Sequence, residues 1–261
     1  MFDDTSPFDG TAAPVLQRTK GTAACGFKKR RDKTVLDRLH QSGSFKIRLP
    51  RLDPGQAPEA VLLNTAGGLT GGDKLSFEGK LDAGCEAVFT TQASERAYRS
   101  ISGEARVTSR LAAGAGSTLS WLPQETILFD GARLRRSFDV ELEGDASLLA
   151  HESIVFGRAA MGEIMNAGMF SDVWRIRRDN KLIHADAVRI EGAVADVLSN
   201  AATLRNARAM ATILYAATDA EARLDEVRDI VDGISPAIGI AGVSAWAGKL
   251  IIRAVSDTGA N

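Results

Sequence analysis

Three segments of the chain repeat one pattern at intervals of about thirty residues, and no other feature of the sequence restricts the fold as strongly. They are LSFEGKLDAGCEAVFTT from Leu75, ARVTSRLAAGAGSTLSWL from Ala105 and SFDVELEGDASLLAHES from Ser137. Each alternates apolar and polar residues, reaches a leucine (Leu81, Leu111 or Leu142), turns through small residues that include glycine, and resumes as an apolar strand. Alternation at period two means that each strand buries one face. A unit of this size cannot bury that face alone, so the pattern predicts successive hairpins or coils stacked against one another.

The strand signal continues through ESIVFGR, DVWRIRRDNKLIHADAVRIEG and NARAMATILYAAT, with Asp179-Asn180 as a hairpin turn. A helix is expected over TDAEARLDEVRDIVDG: Thr218 or Asp219 as N-cap, Glu221 near the third helical position, Leu224, Val227, Ile230 and Val231 on one face, and Gly233 as the stop. Two further strands, AIGIAGVSAW and GKLIIRAV, follow it. The expected fold is mainly β: an elongated stacked-strand, β-solenoid-like body with one or two helices in the C-terminal third. No linker composition divides it, so residues 1–18 read as a flexible N-terminal segment and 19–261 as a single domain.

With 32 basic and 33 acidic residues the chain has no global field to attract nucleic acid or a membrane surface. The run Lys28 to Arg31 reads as a solvated face or strand edge. The N-terminus lacks the basic start and apolar run of a secretory signal, and no run reaches transmembrane length. Cys25 and Cys85 lie far apart and predict neither a zinc site nor a disulfide framework. The cytoplasm is the expected compartment.

The stretch LLNTAGGLTGGDKLSF nearly spells a phosphate-binding loop, with Gly67 and Gly72 correctly spaced. Asp73 then stands where the lysine should be, Lys74 comes one place late, and Leu75 replaces the hydroxyl that would reach Mg²⁺. Leu75, Phe77 and Leu81 recur at even intervals, a strand pattern where such a loop must open a helix. Nucleotide binding is therefore not expected.

Catalytic constellations are sparse. His151, Glu152 and Ser153 are neighbours in a strand and point to alternate faces, so they cannot form a relay. His151 and His184 read as hydrogen-bonded or surface histidines. Carboxylates inside apolar strands are more informative: Glu152 shares its face with Ile154 and Phe156, and Asp186 with Leu182, Val188 and Ile190. An inward carboxylate is costly unless paired, hydrated or bound to a cation. Two readings stand: a buried ion pair with an arginine such as Arg99 or Arg158, or a wet interior path of oxygen ligands with Asp73 as a third contributor. Oxygen groups hold a divalent metal such as Ni²⁺ more loosely than a thiolate cluster does, which suits transit. A hydrolase or isomerase using Glu152 and Asp186 as acid and base is the competing class.

Several long motifs, LLNTAGGLTGGDKL, FTTQASERAYRS, WLPQETILFDGARLRRSF and GRAAMGEIMNAG, occur in the order and spacing of the urease accessory protein UreD (UreH) family. KTVLDRLHQSGSFKIRLPR and WRIRRDNKLIHADAVRIEG extend the resemblance from Thr19 to Val255. Members usually carry Pro-Pro where this chain has Thr65-Ala66, and most continue past the last strand into a helical tail. The resemblance implies a non-enzymatic role in urease maturation: binding apo-urease, recruiting UreF and through it the GTPase UreG, and delivering nickel(II) that is in transit, not tightly bound. It also implies an elongated all-β fold with a couple of helices. Asp73, Glu152 and Asp186 would line the nickel route, with Ser94 as a neutral polar neighbour, and the glycines of the loop would let backbone segments approach closely at positive φ.

Overall fold

The computed structural model describes residues 17–158, 161–234 and 239–257. The N-terminal segment set apart at 1–18 therefore lies outside the described residues through position 16. The chain enters through β1 (Lys20–Arg30) and β2 (Lys33–Gly43), an antiparallel pair, and continues into β3 (Phe45–Arg48) and β4 (Glu59–Asn64). The exposed run Lys28 to Arg31 ends β1 at the tip of that hairpin, as a solvated charge cluster should.

Each repeat then supplies one strand to each of two sheets. The first gives β5 (Lys74–Leu81) and β6 (Glu86–Thr91), followed by the short β7 (Glu95–Ala97). The second gives β8 (Ala105–Ala113) and β9 (Thr118–Leu122), followed by β10 (Thr126–Leu128); the third gives β11 (Arg133–Leu142) and β12 (Ser147–Phe156). β5, β8 and β11 pair in parallel, as do β6, β9 and β12, so the repeats are coils of a solenoid and not hairpins.

The chain closes with β13 (Ala167–Arg178), β14 (Lys181–Ala193), α1 (Val194–Ser199), β15 (Ala209–Ala216), a 3-10 turn (Glu221–Arg223), α2 (Leu224–Asp232), β16 (Ile240–Trp246) and β17 (Lys249–Ser256). The seven-stranded sheet runs β14-β13-β11-β8-β5-β1-β2. The ten-stranded sheet runs β16-β17-β15-β12-β9-β6-β4-β3, with β10 branching from β12 and β7 paired to β10. Asp179 and Asn180 make the β13–β14 turn with φ of 50° and 62°, the left-handed pair that a two-residue hairpin needs.

The helix differs from expectation at its start. Asp219 accepts hydrogen bonds from the Tyr215 hydroxyl and Arg223 Nε, neither the 3-10 turn nor α2 has a side-chain cap, and α2 begins at Leu224. Of its apolar face only Val231 is buried, and Ile230 stays 63% exposed. α1, which no sequence pattern singled out, exists to bury Val194 and Leu198.

Between the sheets the inward residues form an aromatic row. Phe45 meets Phe77 edge-on, Phe77 stacks on Trp121, Trp121 on Phe138, and Phe138 meets Trp174 edge-on at 5.0 Å. Such pairs each contribute about 0.5–1.5 kcal/mol beyond their buried area, and they tie successive coils together.

The turn leucines do not share one register. Leu81 and Leu142 flank Ala113, whereas Leu111 lies opposite Gly79 and Val140. Gly79 is what admits Leu111: a Cβ there would sit 2.6 Å from Leu111 Cδ2 and 3.0 Å from the Phe89 ring. Gly79→Ala is expected to destabilise the fold by about 1–3 kcal/mol through this overpacking, and Leu111→Ala in the same chain should give part of that loss back in a denaturant titration.

Candidate functional site

The inward periodicity of three strands brings charge into this aromatic core. β11 turns Leu134, Arg136 and Phe138 inward, β13 turns Phe170, Asp172 and Trp174 inward, and Arg136 and Asp172 are direct neighbours in the parallel register. From the opposite sheet, β12 presents Glu152. Arg136 Nη2 donates to Asp172 Oδ2 at 2.5 Å, and Nη1 donates to Glu152 Oε2 at 2.6 Å and to Thr126 Oγ1 at 3.2 Å. Two indoles hold the carboxylates from behind: Trp121 Nε1 donates to Glu152 Oε1 at 2.9 Å, and Trp174 Nε1 to Asp172 Oδ2 at 3.1 Å. The triad is thus a buried guanidinium shared by two carboxylates, stable because short charge-assisted bonds offset the desolvation of all three groups. Arg136 Nε is buried with no hydrogen-bond partner among the described residues.

The triad walls two cavities. One, of about 320 Å³, lies between the sheets; Trp121, Thr126 and Phe138 line its inner part, and Asn64, Thr65, Gln92, Ser94 and Glu95 its other part. The second, of about 20 Å³, shares Arg136, Glu152 and Asp172 with the first and continues to Asp186, Met210 and Thr212. Ser94 and Glu152 therefore line the large cavity, Glu152 and Asp186 the small one. Asp186 Oδ2 accepts from Arg253 Nη2 of β17, an ion pair that ties the two sheets.

The partner of Glu152 is Arg136, not Arg99 or Arg158: Arg99 pairs with Asp130 and Arg158 with Glu163. Asp186 keeps Val188 and Ile190 on its face, but Leu182 is 49% exposed because the register shifts opposite Ile176/Arg177, leaving Ile183 as the extra residue of a bulge.

Asp73 stands apart from both cavities. It is 4% exposed, and its oxygens accept the backbone N–H of Thr19 at 2.7 Å and of Thr70 at 2.8 Å. It braces the glycine loop, which leads into strand β5 and not into a helix. That loop packs tightly: a Cβ on Gly71 would fall 1.9 Å from Ser100 Oγ, while Thr65 and Gly67 border the large cavity.

Glu95 is the cavity residue that the sequence reading missed, although it sits beside Ser94 in the ASERAY motif. Its carboxylate accepts from Asn64 Nδ2 at 3.2 Å and from the Arg96 N–H at 3.2 Å. Burial pushes its pKa up to about 7, with the charge of Asp73 adding to the rise and the two hydrogen bonds opposing it. The folded chain thus holds a proton that the unfolded chain has already lost above its carboxyl pKa of 4.5. Stability is fully present below that value and declines as pH climbs to about 7, with a slope of up to about 1.4 kcal/mol per pH unit. Denaturant titrations across this window should show the decline in the wild type and a flatter profile in Glu95→Gln.

His184 is neither exposed nor hydrogen-bonded through Nε2: it is 6% exposed, that atom has no partner among the described residues, and burial lowers its pKa. Its inward place on β14 gives it core surroundings that a lone strand histidine does not announce. Cys25 and Cys85 are buried free thiols, and burial pushes Cys25 up to about 12, so it carries no thiolate at neutral pH. Among the described residues no group of three or more His, Cys, Asp or Glu side chains is placed to hold a metal ion, and no helix is long and apolar enough to cross a membrane.

Fold and site together define a β-solenoid with two cavities between its sheets, whose inward carboxylates Glu152, Asp172 and Asp186 are held by arginines. The model of the family "UreD urease accessory protein" matches residues 19–261, and the chain belongs to that family. It is 44% identical over 243 residues to the urease accessory protein UreD of Rhizobium etli, covering 93% of this chain and 87% of that one. The UreD proteins of Azorhizobium caulinodans (44% over 241 residues; 92% and 88% covered) and of Chelativorans sp. (44% over 255 residues; 98% and 90% covered) are similarly close. Members are accessory proteins of urease and not catalytic enzymes, so the hydrolase or isomerase reading falls, and with it any acid–base role for Glu152 and Asp186.

Proposed function

We propose that this chain acts in the cytoplasm as a scaffold and nickel-delivery chaperone: it binds apo-urease, recruits UreF and through it UreG, and passes nickel(II) along its interior. The observation that carries the proposal is the pair of cavities between the sheets, walled in common by Glu152, Asp172 and Arg136, in a chain of the UreD family. Ser94 and Glu95 supply oxygen groups in the large cavity and Asp186 in the small one, ligands that hold a borderline divalent ion such as nickel(II) only loosely. Asp73 serves the route indirectly, by fixing the loop that borders the large cavity. Nickel is cargo, with no tight resident site.

Co-expression with UreF, UreG and the urease subunits, followed by pull-down on this chain, tests the scaffold role. UreF and apo-urease should co-purify with it, and UreG only when UreF is present. A folded chain that retains neither UreF nor apo-urease would overturn the proposal.

A further inference from the structure

The geometry points to Arg136 as the gate of the internal route, a guanidinium that closes it at rest and must leave Glu152 and Asp172 for a divalent cation to pass. The inference rests on the passage reading and assigns it a control point. Arg136, Glu152 and Asp172 are the wall that the two cavities share, so anything moving from Ser94 toward Asp186 meets them. Their charges sum to one negative: two carboxylates against one guanidinium. With the guanidinium withdrawn into the large cavity, the two carboxylates present two negative charges, which a divalent ion matches and a monovalent ion only half matches. The exchange therefore favours a divalent ion, and the indole N–H groups of Trp121 and Trp174 keep both carboxylates in place while it occurs.

Arg136 also has somewhere to go. Its Nε makes no hydrogen bond among the described residues, so the side chain is held only through its two terminal nitrogens and by the Phe170 ring 5.4 Å from its guanidinium carbon. The large cavity beside it leaves room for the side chain to swing.

Equilibrium dialysis of the purified full chain against nickel(II) tests the gate, with wild type beside Arg136→Lys. Lysine keeps the charge but is a point donor that cannot span both carboxylates, so one is left open to the metal. Arg136→Lys should bind nickel(II) at least about tenfold more tightly than wild type, and adding Glu152→Gln should remove the gain. Equal affinities in folded proteins overturn the gate.

Where Arg136→Lys fails to fold, Trp246→Phe carries the test, because Trp121 and Trp174 are then the remaining tryptophans. Asp172→Asn in that background removes one charged anchor of the guanidinium and should make nickel(II) quenching of their emission saturate at a lower concentration than Trp246→Phe alone, and equal saturation overturns the gate. Failure of the passage itself reads differently: Glu152→Gln would then support full urease activation whatever dialysis shows for Arg136→Lys.

Discussion

Replacing Arg136 by methionine is expected to lower the unfolding midpoint by about 10 °C, a large effect for one substitution. Methionine fills much of the space but leaves Glu152 and Asp172 facing each other across the core without their shared cation. Breaking a buried pair from one side costs about 3–5 kcal/mol, because the stranded charge stays desolvated. In a chain of this length each kcal/mol moves the midpoint by roughly 2–4 °C. Thermal melts followed by circular dichroism measure it. Arg136→Met combined with Glu152→Gln and Asp172→Asn should recover most of the loss, since the amides carry no charge to strand. A single variant that melts with the wild type would show that the triad contributes no buried electrostatics.

Asp73→Ala is expected to cost about 2–4 kcal/mol, because two backbone donors lose their acceptor inside the protein. Thr19 N–H and Thr70 N–H both end on that carboxylate, and Asp73 is 4% exposed, so solvent cannot replace it. Asp73→Asn keeps one carbonyl oxygen and should lose about half as much. Chemical denaturation of the two variants side by side reads the difference. Equal, negligible losses would free Asp73 from its bracing role.

The solenoid was legible because alternation at period two and glycine turns recur at a fixed interval in three segments. Whether those segments formed hairpins or coils was not, since a strand alternates identically in a parallel or an antiparallel pair. The register was hidden for a similar reason: Leu81, Leu111 and Leu142 look equivalent in the sequence, and only the space left by Gly79 sets Leu111 two residues away from the others.

Within the site, Glu152 stood out as a carboxylate among apolar neighbours. Its partner was also readable, because Arg136 alternates with Leu134 and Phe138 just as Asp172 does with Phe170 and Trp174. Arginine and aspartate in a strand nonetheless read as solvent-facing unless the strand's inward phase is fixed first. Asp73 reads in the sequence as an oxygen ligand, yet a loop aspartate followed by a strand serves backbone donors equally well, and here it does. Glu95 gave no periodic signal, since β7 is three residues long.

The central claim is that nickel(II) crosses the interior of this chain past Glu152. Urease activation at limiting nickel, in complexes assembled with wild type or with Glu152→Gln/Asp186→Asn, tests it most directly. Each amide keeps one carbonyl oxygen, which serves Arg136 and Arg253 while the Trp121 N–H loses its acceptor, so folding and partner retention should persist at a small cost in stability while ligand charge on the route is lost. The expected result is activation reduced about tenfold or more at unchanged partner pull-down and with a midpoint within a few degrees of wild type. Full activation by the double variant would contradict the account.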